Sequence, residues 1–276
     1  MPQMIQPNGF HLGMSSEWVI DAVSANVGQF LPCSAPSLLG EPITAVLCDD
    51  AIHGIRNRMA LLRSEEAIEH LLHVSLVDDG PPFDISIYRD GEGFGIDAEP
   101  SEGHGLGDAT GIVHGMLARL EHADQLETLC DMATRQLRAL TGFDRAVIFG
   151  GGKLLGQSAR AGCDQFSPTA ASATEGEFAV ADTNAGPVAI LRSDRGGQSQ
   201  SRSTLRLPDE KEAAALTALG AKAALVVPLR RDGHNWGHVG CYHGSPRHVG
   251  VERRSVVGLF ARIIALKIEI AELRRG

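Results

Sequence analysis

The sequence predicts an α+β chain of two domains, each an antiparallel sheet flanked by helices. Three observations predict this class. Short segments that alternate apolar and polar residues occur in both halves, and segments with apolar residues three and four positions apart lie between them. A small, polar, Gly-rich stretch at residues 98–109 is typical of an exposed connector. The length of 276 residues exceeds one average domain. We therefore expect one domain over residues 1–107 and a second over residues 108–276.

The first domain is predicted to contain strands at residues 10–14 and 18–23, then short helices, then more strands. Apolar spacing indicates helices at residues 26–30, 43–47 and 51–62, the last continuing through residues 65–72. Strand patterns return at residues 74–77, 83–88 and 93–96, and the sequences DGPP and DG between them are typical turns.

The second domain begins with a predicted helix over residues 110–142, with a break near residues 122–124. Asp108 or Thr110 can cap its start, and Gly142 stands where a left-handed residue ends a helix. Strands follow at residues 145–149 and 153–159, and residues 162–209 are predicted to be mostly loop with one strand at 187–191. A helix at 210–219 precedes strands at 223–229 and 236–243, with a hairpin turn at 231–234.

The last segment has the apolar seam of a coiled coil, with spacings of 3, 4, 3, 4 and 3 residues. This seam predicts a long dimerisation helix and a homodimer. A second apolar row beside it leaves another interpretation open, in which one broad face packs on the helix's own domain. The seam comprises Val256, Leu259, Ile263, Leu266, Ile270 and Leu273, and the second row comprises Phe260, Ile264 and Ile268.

Composition excludes several classes of protein. Hydrophobic residues make up 43% of the chain and charged residues 21%, as in ordinary globular domains. Residues 1–124 contain five Lys and Arg against 19 Asp and Glu, so a nucleic-acid surface is disfavoured. Neither an apolar run of about 18 residues nor a signal peptide is recognisable, and we expect a cytoplasmic protein. The five cysteines are scattered, which disfavours disulfides and structural zinc.

The sequence motifs do not indicate an enzyme. Residues 150–153 (GGGK) lack the second Gly and the Ser or Thr of a phosphate-binding loop. A metal site is disfavoured, because strand alternation places His238 and Tyr242 on one face and Cys241 and His243 on the other. The residues considered as ligands are His234, His238, Cys241, His243 and His248. On a helix, Arg202 and Arg206 would lie on one side and clamp an anion, although a plain surface pair is the simpler interpretation.

In its order of motifs, the chain resembles the PAS–GAF photosensory core of bacteriophytochromes. The matching segments are residues 5–9 (IQPNG), 22–27 (AVSANV), 140–145 (LTGFDR), 201–206 (SRSTLR), 232–237 (DGHNWG) and 241–247 (CYHGSPR). The resemblance implies an N-terminal PAS domain and a C-terminal GAF domain whose pocket holds a bilin chromophore. It also implies a dimer formed by the terminal helices, and a kinase or phytochrome as a possible partner.

Measured against this family, the expected bilin pocket is degenerate. No cysteine precedes residue 5, so the resemblance implies no thioether to biliverdin, and the family's N-terminal knot is expected to be missing or reduced. Thr174 stands where the family has its pocket aspartate, and Glu212 where it has a histidine. Tyr242 replaces another histidine, and Ala and Val replace the hydroxyl residues of the strand at 223–227. Arg206, with Arg202 nearby, remains as a partner for a propionate.

The sequence therefore predicts a phytochrome-like sensory or signal-transduction protein without covalent bilin and without an expected cofactor. Its candidate binding residues are Arg202, Arg206, Glu212, Thr174, Tyr242 and His238. Three alternatives stay open. The chain could bind biliverdin noncovalently, its GAF domain could sense another small ligand through Arg202, Arg206 and Glu212, or it could act only by pairing with another protein.

Overall fold

The structure is a computed structural model that describes residues 3–65, 67–102, 105–123, 125–163, 177–193 and 202–273. The chain divides into two compact units. The first comprises Met1–Gly103 together with Ala185–Leu207, and the second comprises His104–Asn184 together with Pro208–Gly276. The division predicted at residue 107 stays a prediction. No single cut reproduces these units, because Ala185–Leu207 packs with the N-terminal part of the chain.

The first unit is built on a seven-stranded antiparallel sheet. Its strands are β1 (Met4–Ile5), β2 (Phe10–Met14), β3 (Ile20–Ser24), β4 (Ile68–Ser75), β5 (Pro82–Asp90), β6 (Gly93–Pro100) and β10 (Val188–Arg192). Their order in the sheet is β1-β10-β3-β2-β6-β5-β4. Helices α1 (Ala35–Leu38) and α2 (Asp49–Met59) and two 3₁₀ turns, Val27–Gln29 and Ile43–Ala45, connect β3 to β4. Alternate side chains such as Leu12, Ile85 and Ile96 form the core with these helices.

The opposite face of this sheet has a buried polar centre. The Asp97 side chain is fully buried. Its Oδ1 accepts from His11 Nδ1 at 2.9 Å and from the Tyr88 hydroxyl at 3.2 Å. Its Oδ2 accepts from Thr204 N at 2.6 Å and Thr204 Oγ1 at 3.1 Å. Burial first, and then the charge of Asp97, raise the pKa of Tyr88, so this hydroxyl keeps its proton and donates.

The N-terminal strand is held on both edges by the segment Ala185–Leu207. Ile5 lies opposite Val188 of β10 on one edge and opposite Arg206 on the other. Gln6 N donates to Leu205 O at 2.8 Å, and Gln6 Nε2 donates to Arg206 O at 2.9 Å. These contacts pair Ile5 and Gln6 with both ends of the segment, whose residues 194–201 lie outside the described residues. The missing or reduced N-terminal knot stays a prediction.

The second unit has a five-stranded antiparallel sheet. Its strands are β7 (Arg145–Gly150), β8 (Lys153–Ala159), β9 (Phe178–Val180), β11 (Ala223–Arg231) and β12 (His234–His243), in the order β8-β7-β12-β11-β9. Its helices are α3 (Ala109–Ala118), α4 (Leu126–Thr141), α5 (Glu210–Ala218) and α6 (Val251–Leu273). The break predicted near residues 122–124 separates α3 from α4. Asp108 caps the start of α3 as predicted, because its Oδ1 accepts a hydrogen bond from Gly111 N at 2.7 Å.

Helices α3, α4 and α6 pack on one face of the second sheet. The α6 residues Phe260, Ile264 and Ile268 are fully buried in this core, so the second apolar row of the sequence packs within the unit. Gly156 lets α4 approach β8 closely, because a Cβ at this position would lie 2.7 Å from Cys130 Cβ. None of the helices in the described part of the chain is long and apolar enough to span a membrane.

Three local predictions are wrong. The helix predicted over residues 65–72 is replaced from Ile68 by strand β4, in which His70 lies opposite Ser86 of β5. The connector predicted from residue 98 begins later, because β6 extends to Pro100 and Ala98 is buried. Residues 162–209 contain an unpredicted strand, β9, which pairs with β11.

Candidate functional site

The face of the second sheet that points away from α3, α4 and α6 is the candidate site, called the site face below. Its described side chains come from four strands, and Leu216 of α5 and Ala221 complete it. All are buried, and most are hydrocarbons. The strand residues of this cluster are Val147, Phe149, Phe178, Val180, Ala224, Val226 and Tyr242.

Strand β11 contributes no hydroxyl group to the described site face. Its residues in this cluster are Ala224 and Val226, which lie opposite Val180 and Phe178 of β9. The alternate residues of the strand, including Ala223 and Leu225, belong to the core with the helices. The site face is thus poor in hydrogen-bonding groups along this strand.

Tyr242 and His238 lie on the site face of β12, with Gly240 midway between them along the strand. The Tyr242 ring occupies the space over Gly240, where a Cβ would lie 2.4 Å from Tyr242 Oη. Burial raises the pKa of Tyr242, so its phenol is neutral. The His238 ring stacks on Phe149 with 5.1 Å between centroids. The predicted placement of these two residues on one face is confirmed.

Cys241 and His243 point to the other face, as strand alternation predicts. Cys241 is buried among the helices, and burial raises the pKa of its thiol to about 12. His243 Nδ1 lies 2.8 Å from Asp144 Oδ2. Desolvation lowers the pKa of His243, and the Asp144 charge opposes this shift. Within the described ranges, no three His, Cys, Asp or Glu side chains converge in a way that could hold a metal ion.

Family profiles match both parts of the chain. The profile of the GAF domain matches residues 125–268, and the profile of the PAS fold matches residues 1–101. The chain belongs to the GAF family and is a phytochrome-like PAS–GAF core. The expected fold class and the bacteriophytochrome resemblance are therefore confirmed at the level of the family.

Relatives of this PAS–GAF core are phytochromes. The chain is 23% identical to the phytochrome-like protein Cph1 of Synechocystis, over 98% of this chain and 40% of that protein. It is 25% identical to phytochrome B of Arabidopsis thaliana, over 96% of this chain and 27% of that protein. The chain thus spans less than half the length of these curated relatives.

Solved structures of bacteriophytochromes share the fold of this PAS–GAF core. The chromophore-binding domain of Stigmatella aurantiaca phytochrome P1 superposes with a TM-score of 0.79 at 23% identity, covering 95% of each chain. The bacteriophytochrome RpBphP3 of R. palustris superposes with a TM-score of 0.85 at 23% identity, covering all of this chain and 60% of that chain.

Two predicted site residues of the PAS–GAF core, Arg202 and Arg206, lie in the first unit and not on a helix. Residues around them form a turn, and Arg206 makes a backbone bridge with Ile5. Arg206 Nη1 donates to Leu207 O at 3.2 Å. The helical clamp proposed for this pair is therefore wrong in its geometry. Thr174 and the segment 171–176 lie outside the described residues.

Glu212 holds the start of helix α5. Its Oε2 accepts from Asp209 N at 2.9 Å, and Asp209 Oδ1 accepts from Glu212 N at 2.8 Å. This reciprocal pair is a capping box, which satisfies backbone donors at a helix N-terminus. Lys211 beside it is exposed. Glu212 thus has a structural role, and this role could have been identified from the sequence DEKE.

The capping box allows the effect of Glu212 substitutions on stability to be predicted. Glu212→Ala should lower the free energy of unfolding by about 1 kcal/mol, while Glu212→Gln should change it little, because a glutamine can accept the same bond. Urea unfolding of the two variants, with Lys211→Ala as an exposed control, measures the difference. A Gln variant as unstable as the Ala variant would show that the carboxylate charge matters here, beyond the cap.

Arg145 is a site-face residue that the sequence analysis missed. It precedes Val147 by two positions on β7, lies opposite Tyr242 of β12, and is buried. Alternation along β7 was the available signal, because Val147 and Phe149 share this face. Arg145 brings a guanidinium to the end of a face that is otherwise mostly apolar.

Proposed function

We propose that this chain is a phytochrome-like sensory and signal-transduction module whose GAF site has lost ordinary bilin binding. The observation that carries the proposal is the packing of the site face. Ala224, Val226 and Leu216 pack there with aromatic residues into a buried apolar cluster, and the Tyr242 ring occupies the space over Gly240.

The chemistry of a bilin conflicts with such a face. A bilin has two propionate carboxylates and a ring system that is protonated in the family's pocket. A buried charge that lacks a partner costs several kcal/mol as an order of magnitude. Among the buried side chains described on the site face, hydrocarbons predominate, and Arg145, His238 and Tyr242 are the polar ones. This set is small for a ligand with several charges.

Reconstitution with biliverdin tests the proposal. Purified protein is incubated with biliverdin and passed through a desalting column, and its visible spectrum is compared with that of a bacteriophytochrome treated identically. We expect the control protein to keep a red absorption band and this chain to keep none. A stable band that shifts reversibly under red light would overturn the proposal.

Noncovalent bilin binding is the second candidate, and the fold supports it. The chain superposes on a solved chromophore-binding domain at a TM-score of 0.79, and Arg145 offers a buried cation on the site face. In this case a band would survive desalting but would leave the protein in denaturant, whereas a thioether-linked bilin would stay attached. An Arg145→Ala variant would then lose the band.

We also propose that the module acts as a homodimer through helix α6. From Leu259 to Leu273 its seam is exposed or half-buried, with Leu259 49% exposed, Leu266 59% and Leu273 75%. The first predicted seam residue, Val256, is buried and does not belong to this exposed row. Leucines in a row over about 21 Å of helix form an unusual surface for a monomer. Sedimentation velocity across a dilution series should find a dimer, and a monomer at every concentration would contradict this.

A further inference from the structure

Arg231 joins the end of strand β11 to the last described turn of helix α6. Its guanidinium Cζ lies 3.7 Å from the centroid of the Trp236 ring. Its Nη1 donates to Glu272 Oε2 at 2.7 Å. The side chain of Arg231 is 16% exposed and that of Glu272 39%, so water screens this ion pair less than a fully exposed one. Arg231 thus contacts a tryptophan of the sheet with its planar face and a glutamate of α6 with its edge.

Trp236 is the extra residue of a β-bulge in strand β12. Its neighbours Asn235 and Gly237 each lie opposite a residue of β11, whereas Trp236 has no opposite residue in this ladder. A bulge turns a side chain away from strict alternation. Trp236 accordingly packs against the core that contains the helices, although it lies two positions from His238 on the site face. The bulge therefore places the ring that supports Arg231 next to the site face, on the helix side of the sheet.

Two paired glycines lie between Trp236 and the site face. Gly150 of β7 lies opposite Gly237 of β12. The next pair along these strands is Phe149 and His238, whose rings stack on the site face. A Cβ on Gly150 would overlap the Trp236 ring, so the ring packs directly on this backbone. Because closely packed groups transmit displacements, a shift of the stacked pair reaches Trp236 through the glycine backbone.

The last described turn of α6 lies near other carboxylates. Burial, and then the charges of three carboxylates, raise the pKa of the Cys130 thiol to about 12. These carboxylates are Asp131 and Glu127 of α4 and Glu272 of α6. A negative charge at a helix C-terminus also opposes the helix dipole. Without Arg231, Glu272 would remain close to like charges, and opening of this turn would be favoured.

We propose that Arg231 is the positioning residue through which the site face controls the last turn of helix α6. Arg231 docked on Trp236 holds the turn closed, and a shift of the site face displaces Trp236 and Arg231 and opens the turn. Helix ends open locally at a low free-energy cost, so the turn has two states that a small displacement can bias. The inference rests on the proposed sensory role of the module and identifies a residue that couples its site to α6.

Hydrogen exchange measures this coupling in the protein without any ligand. Amide exchange at residues 269–273 is followed by mass spectrometry, at a concentration where the parent is monomeric. Arg231→Met should raise the exchange rate about fivefold, because it removes the ion pair and the cation–π contact. Phe149→Leu, which alters the stacked pair on the site face, should raise the rate about twofold in the parent and not further in the Arg231→Met background. The last turn of α4, residues 138–141, is the internal control.

Arg231→Lys separates the coupling from ordinary stabilisation of the turn. A lysine keeps a positive charge near Glu272 but lacks the planar group that stacks on Trp236. The exchange rate of the turn should therefore stay within about twofold of the parent rate. The response to Phe149→Leu should nevertheless be lost in the Arg231→Lys background.

Additive behaviour would overturn the proposal. Phe149→Leu would then raise the exchange rate equally in the parent, Arg231→Met and Arg231→Lys proteins. An unchanged rate in the Arg231→Met protein would overturn it as well. If Phe149→Leu does not fold, His238→Ala removes the other ring of the stack and serves as the same test. Since the exchange experiment uses the protein without bilin, a red-absorbing holoprotein would overturn the proposed loss of bilin binding and not the role of Arg231.

Discussion

Replacing Asp97 with alanine is expected to lower the free energy of unfolding of the first unit by about 3–5 kcal/mol, because each buried donor left without an acceptor costs about 1–3 kcal/mol. The carboxylate is fully buried and accepts bonds from His11, Tyr88 and Thr204. Without it, these buried donors lose their acceptor. Because Thr204 belongs to the segment Ala185–Leu207, we expect that segment to lose protection from hydrogen exchange first.

The two tryptophans allow this effect to be measured in one unit at a time, since Trp18 lies in the first unit and Trp236 in the second. In a Trp236→Phe background, the fluorescence of Trp18 during urea unfolding reports on the first unit. Asp78→Ala, in an exposed turn, is the matched control and should stay within about 0.5 kcal/mol of the parent protein. Equal unfolding of the Asp97 and Asp78 variants would refute the role of the network.

Phe260→Ala and Leu266→Ala should have opposite consequences although both lie on helix α6. Phe260 is fully buried in the core of the second unit, so its truncation should cost about 3–5 kcal/mol of unfolding free energy. Leu266 is 59% exposed, so its truncation should leave the stability of the monomer nearly unchanged and weaken the dimer.

In a Trp18→Phe background, the fluorescence of Trp236 during urea unfolding measures the stability of the second unit in the Phe260→Ala and Leu266→Ala variants. Sedimentation measures the dimerisation of both variants. Both are compared at a concentration where the parent is monomeric, because dimerisation itself stabilises the folded state. If Leu266→Ala destabilised the monomer as strongly as Phe260→Ala, the seam would be part of the unit's own core. The interpretation of one broad face packed on its own domain would then be correct.

Local patterns predicted most of the elements, because capping and alternation are decided by neighbouring residues. Gly142 has a left-handed backbone with φ of 66° and ends α4 as expected. The alternation of β12 correctly separated Tyr242 from Cys241. The helix predicted over residues 65–72 is wrong because a short apolar run fits both a helix and a strand. Here the pairing with β5 selects the strand.

The parts that the sequence did not predict depend on distant contacts. The segment Ala185–Leu207 packs on the first sheet through Asp97 and Ile5, which lie far away along the chain. The spacing of four residues between Arg202 and Arg206 suggests one side of a helix, and no other local pattern argues against a helix there. Arg145 was missed because burial of its guanidinium follows from the packing of neighbouring strands, not from the motif around it.

The most direct test of the proposed loss of bilin binding is the red and far-red spectrum of the chain purified from cells that also produce haem oxygenase and therefore supply biliverdin during folding. We expect no absorption band in the red or far-red, in amounts of protein for which an identically purified bacteriophytochrome is visibly coloured. A coloured preparation that switches between two spectra under alternating red and far-red light would contradict it.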